Sequence, residues 1–98
     1  MDVTCTSIED VRQHIDNIDR DLVRLLARRG ALVTQAAAFK KTSHDVRAPS
    51  RVEEVIAKVR GLAVETGASA EVVERVYREM IAAFIEQELK DHHALNLE

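Results

Sequence analysis

Two cations fall on what reads as the apolar face of a helix. With Val11 at the centre and about 100° of rotation per residue, Arg29 lies at about 0° and Lys40 at about 20°. Both lie in the run LLARRGALVTQAAAFKK, residues 25–41, and share that stripe with Ile15 and Leu22. A cation facing a core is strongly unfavourable unless an opposite charge meets it. It can stretch its head to water or pair with a carboxylate elsewhere in the fold. The stripe supplies no acid at matching positions. An anionic ligand is another solution, because Arg grips a carboxylate through a bidentate fork and Lys offers a point charge. The chemistry implied is recognition and electrostatic stabilisation of a small carboxylate.

Spacing then limits which residues can share a ligand. Arg29 and Lys40 are roughly 16 Å apart along a continuous helix, close enough for long side chains to converge. Arg12, at the stripe's edge, is roughly 42 Å from Lys40 and can reach the same ligand only from an antiparallel partner helix. Arg28 points away from the stripe. Arg51 follows the main loop, where the chain returns towards the end of the first helix. Gln87 and Glu88 both lie within roughly 60° of the apolar face of the last helix, so periodicity does not choose between them. His92 and His93 are adjacent, point apart, make a poor metal pair and are expected at a solvated end. Cys5 is the sole cysteine, read as a reduced bystander.

Three helices must position these residues. Ser7 is a suitable N-cap with Asp10 three residues on, a variant of the capping box. Apolar residues at Val11, Ile15, Ile18, Leu22, Leu25, Leu26, Leu32, Val33, Ala36 and Ala37 then predict a first helix from about Ile8 to Lys41. TSHDVRAPS, residues 42–50, has turn chemistry and reads as the main loop. The second helix starts near Ser50 or Arg51, with Val52, Val55, Ile56, Val59 and Leu62 on one face, and ends at a left-handed Gly67. Ser69 caps the third, whose inner face carries Val73, Val76, Tyr77, Met80, Ile81 and Phe84 and which frays after Lys90. The result is a single all-α domain over residues 1–98, with frayed ends at 1–6 and 91–98. The first helix is too long for the other two to cover, and an uncovered apolar stripe marks a partner surface. A two-fold homodimer is the expected solution.

Composition agrees with helix. The chain is 46% hydrophobic but 3% aromatic, with 3 Gly and 1 Pro, too few turn residues for a many-stranded sheet. A net charge of −3 gives no reason to expect nucleic acid binding. No apolar run reaches a membrane span and no signal-peptide pattern opens the chain, so the cytoplasm is the expected compartment.

The ordered set VRQHIDNIDRDLVRLLARR, AAAFKK, APSRV and AFIEQELK resembles the all-helical chorismate mutase family, and within it the isochorismate-pyruvate lyase branch. The resemblance covers about residues 8–90. It implies an intertwined homodimer with two shared active sites, each a cage of cations around a dicarboxylate. On this resemblance Arg12 comes from the partner subunit and binds one carboxylate, and Arg29 binds the other. Lys40 contacts the ether oxygen and a neighbouring carboxylate, and Arg51 lines the pocket. Glu88 falls where the family places a Gln that donates to the ether oxygen. Val52 stands where mutases place a Glu for the ring hydroxyl, and Ala48 replaces an Asp, as in the lyase branch.

The implied reaction is the pericyclic rearrangement of chorismate to prephenate. It needs no nucleophile, metal or cofactor, only orientation and charge stabilisation at the breaking C–O bond. The alternative is an isochorismate-pyruvate lyase giving salicylate and pyruvate. A further alternative is a non-catalytic helical dimerisation module.

Overall fold

The structure, a computed structural model, describes the backbone of residues 3–96 and the side chains of residues 3–92. Parts of the expected frayed ends (residues 1–2 and 97–98) and the His93 side chain lie outside the described residues. The elements are α1 (Ile8–Ala37), α2 (Ser43–Arg47), α3 (Pro49–Thr66) and α4 (Ala70–Asn96). Among the described residues the protein is all-α, as its composition and periodicity imply: three long helices and one short one.

The chain forms two compact units, Met1–Leu32 and Val33–Glu98. The first is built on α1. The Ser7 hydroxyl accepts the Asp10 N–H at 3.0 Å, and the Asp10 carboxylate accepts the Thr6 N–H at 3.2 Å. Glu9 and Asp10 also place negative charge at the positive end of the helix. The apolar stripe of α1 is largely open. Ile15, Ile18, Leu22 and Leu25 are each about half exposed.

The second unit holds the last turn of α1 and all of α2, α3 and α4. Its core is Ala37, Val46, Ile56, Val59, Ala63 and Ile81. The buried face of α3 runs through Ala63 rather than the expected Leu62, which is exposed, and Val76 on α4 is likewise outside. Gly67 takes φ 80°, a left-handed cap that returns the Ala68 N–H to the Ala63 carbonyl at 2.9 Å. Ser69 then accepts the Val72 N–H at 3.2 Å and starts α4. This short link lets α3 and α4 pack against each other. A surface network joins them: Arg60 to Glu74 at 2.6 Å, Arg78 to Glu74 at 2.7 Å, and Arg78 in a bidentate fork on Glu53 at 2.9 and 3.0 Å.

Three expectations are corrected. The first helix ends at Ala37, not Lys41. The N–H groups of Ala38, Phe39 and Lys40 bond three residues back, tightening the chain into a turn with Phe39 86% exposed. The reason lies downstream. Thr42 and Asp45 form a reciprocal capping box, and Asp45 also accepts the Lys41 N–H at 3.0 Å. The backbone at 41–42 is thus committed to the start of α2 and cannot continue α1.

Second, the expected loop contains α2, which buries Val46 against α4. Ala48 closes α2 and precedes α3 in the left-handed region, with φ 40° and ψ 59°. Third, α4 does not fray after Lys90 but continues to Asn96.

Candidate active site

The fold turns the Lys40 side chain inwards. Lys40 sits in the turn after α1, so its place is not set by the helical stripe. Its ammonium donates to Glu88 Oε1 at 3.1 Å and lies 2.8 Å from Oε2. Oε2 is buried and accepts no hydrogen bond among the described residues, so its contact with Nζ is an ion pair. Glu88 is 4% exposed and is the one buried charged residue among the described residues. A carboxylate so removed from water requires a cation at contact distance, which Lys40 provides.

Glu88 reaches this position because α4 buries the face that carries Ile81 and Glu88, one residue set spaced at helical repeat. The choice between Gln87 and Glu88 that periodicity left open is thereby made. Gln87 is exposed, and its amide donates to Asp91 at 3.2 Å. One turn beyond Glu88, His92 Nε2 lies 3.2 Å from the Lys40 carbonyl oxygen. His92 is half-buried and engaged, which corrects its expected place at a solvated end. Its role was hidden from the sequence because the contact joins residues far apart in the chain.

Arg51 is exposed on the first turn of α3 and pairs with Glu54 on the same helix. Val52 beside it is half-buried. Arg12 is exposed on α1, as is Arg28, and Arg29 is half-buried. Arg12 and Arg29 are separated by roughly 25 Å of continuous helix. Two arginines that far apart on one rigid helix cannot grip the same small diacid. If both bind substrate, they serve different sites.

Electrostatic shifts concentrate on the α3–α4 surface and at the α2 cap. Hydrogen bonds from Arg78 hold the Glu53 and Glu74 carboxyls below their usual range, and the same contacts raise the Arg78 guanidinium. The Lys41 N–H, followed by the Thr42 contacts, lowers Asp45. These groups support the scaffold. One trio has metal-ligand chemistry: Cys5, Asp10 and His14 offer ligand atoms within 4.8 Å of one another. Asp10 is already occupied there, taking the Thr6 N–H on Oδ2 and facing His14 from Oδ1 at 3.4 Å. The positive end of α1 also disfavours a cation.

A lysine ammonium held on a buried carboxylate gives this all-α chain a fixed positive charge, the part that electrostatic stabilisation of an anion needs. Comparison with known families decides its kinship. The model of the family described as Chorismate mutase type II matches residues 11–89. The chain belongs to this family. It is 35% identical over 86 residues to a protein named isochorismate pyruvate lyase from Pseudomonas aeruginosa. That match covers 88% of this chain and 85% of the relative. It is 34% identical over 73 residues to a protein named T-protein from Haemophilus influenzae, covering 74% of this chain but 19% of that relative. The chorismate mutase type II match includes Arg12, Arg29, Lys40, Arg51, Val52 and Glu88, and stops short of His92. No helix among the described residues is long and apolar enough to cross a membrane.

Proposed function

We propose that the protein is a chorismate mutase, rearranging chorismate to prephenate at sites shared between two copies of the chain. The observation that carries this reading is the Lys40 ammonium held on the buried Glu88 of α4 in a chain of this family. The reaction is concerted, with no covalent intermediate. What a protein must supply is a compact substrate conformer and positive charge near the ether oxygen as its bond breaks. Lys40 supplies that charge. Arg29 and the partner subunit's Arg12 bind the two carboxylates, and Arg51 leaves Glu54 to line the pocket. Glu88 orients Lys40 and serves as its counter-ion while no substrate is bound. Substrate carboxylates take over part of that role.

Support for sharing comes from the length of α1 between Arg12 and Arg29 and from its open stripe of Ile15, Ile18, Leu22 and Leu25. Covering that stripe with the same stripe of a second copy is the two-fold solution. Arg12→Ala and Lys40→Ala chains, each inactive alone, then regain activity on mixing. Random exchange makes about half the dimers mixed, each with one intact site, for about a quarter of normal activity. Absence of recovery after exchange overturns the shared site. The compartment in this reading is the cytoplasm, to be checked by fractionation of the native host.

A second reading, an isochorismate-pyruvate lyase, is favoured by Val52. It offers no carboxylate for a substrate hydroxyl, and the Pseudomonas aeruginosa relative bears that activity in its name. Purified protein given each substrate separately distinguishes the two. Prephenate from chorismate at the higher kcat/KM supports the mutase. Salicylate and pyruvate from isochorismate at the higher kcat/KM makes the lyase primary. Turnover of neither leaves a non-catalytic dimerisation module and refutes both.

A further inference from the structure

Lys40 is held at two points by one face of α4. Its side chain meets Glu88, and its backbone carbonyl meets His92, one helical turn further on. Residues four apart on a helix lie one above the other, so α4 presents a carboxylate and an imidazole as a pair of grips. The residue they hold needs holding. Lys40 lies outside α1, in a turn whose hydrogen bonds run three residues back and whose neighbour Phe39 is in solvent. Glu88 fixes only the tip of a long, flexible side chain. The carbonyl contact fixes its root.

A carbonyl oxygen can only accept, so Nε2 carries the proton in this contact. We propose that His92 is a positioning residue for the reaction: its Nε2–H holds the Lys40 carbonyl on α4, and thereby keeps the Lys40 ammonium where an anionic substrate meets it. The proposal rests on the function assigned above to Lys40. It adds a residue beyond the stretch that the family model matches. His92 touches no reacting atom. Its contribution is to remove the freedom of a turn that would otherwise let the ammonium wander, and misplacement of a catalytic group by an ångström can lower rates about a hundredfold.

Two substitutions in the full-length chain separate the hydrogen bond from simple packing. His92→Leu fills similar space without a donor, and His92→Gln restores an N–H of similar reach. His92→Leu is expected to lower kcat roughly tenfold, the scale of one lost hydrogen bond, with KM changed less than about threefold. His92→Gln is expected to recover most of that loss. A second readout does not require turnover: tryptic cleavage after Lys40 and Lys41 at low protease. It should run several-fold faster in His92→Leu than in wild type or His92→Gln, because the anchored turn resists the extended conformation a protease needs. His92→Leu with wild-type kcat and cleavage rate overturns the proposal, as does His92→Gln behaving like His92→Leu in both. Should wild type turn over neither chorismate nor isochorismate, the functional reading fails. The cleavage comparison then still accepts or rejects the anchor on its own.

Discussion

Replacing Lys40 by Met tests the central contact directly. Met keeps the length and apolar stem of Lys but removes the charge. Glu88 would then stand 4% exposed with its oxygens facing no cation from Lys40. Removing one partner of a buried ion pair destabilises by about 3–5 kcal/mol, because the other charge is left desolvated. Lys40 is itself 24% exposed, which lets some water reach the carboxylate and points to the lower end, about 3 kcal/mol. That is a large share of a stability on the order of 5–15 kcal/mol for a domain. The double replacement, Lys40→Met with Glu88→Leu, removes both charges and should recover at least about 2 kcal/mol relative to the sum of the single effects. The assay is urea unfolding followed by circular dichroism at one fixed protein concentration near neutral pH, for wild type, both single variants and the double. Fixed concentration matters because association contributes to apparent stability. If each single variant loses less than about 1 kcal/mol and the effects simply add, Glu88 is not buried against Lys40 and the reasoning fails.

The scaffold yields three more tests. Ala48→Gly should add about 0.5–1 kcal/mol of stability, seen as a higher urea midpoint, because Ala48 holds φ 40° and glycine adopts it without the Cβ clash; a lower midpoint would deny the strain. Thr42→Ala removes the hydroxyl that accepts the Asp45 N–H and should destabilise by about 1 kcal/mol, with Thr42→Ser close to wild type; equal unfolding curves for all three would refute the cap. Arg78→Met should lower stability most at neutral pH. Arg78 hydrogen bonds hold Glu53 and Glu74 below the ordinary value of 4.5, so their contribution is full above that value and disappears as pH falls through the lowered folded values. The gap between wild type and Arg78→Met should therefore close in acid, and a gap independent of pH would show that Arg78 acts by packing alone.

What could be read from the sequence was what local periodicity and capping chemistry encode. The α1 stripe, the Ser7 and Ser69 caps and the left-handed Gly67 each depend on residues within a turn or two of one another. The end of α1 was misplaced because helical periodicity through AAAFKK continues undisturbed. The capping box of Thr42 and Asp45 competes for the same backbone, and its T-x-x-D spacing was present in the sequence. The pairing of Lys40 with Glu88 was not derivable from the stripe, since its partner lies on another helix. The same holds for His92 and for the Arg60–Glu74–Arg78–Glu53 network, whose members meet only when α3 folds back on α4.

The turn that carries Lys40 leaves Phe39 almost wholly in water, and the chain contains no tryptophan. Phe39→Trp would therefore place a lone indole next to Lys40 in the chain without disturbing the interior. Its emission would report any change in the exposure of that turn in real time, an optical readout for added dicarboxylates that needs neither labelling chemistry nor a chromogenic product.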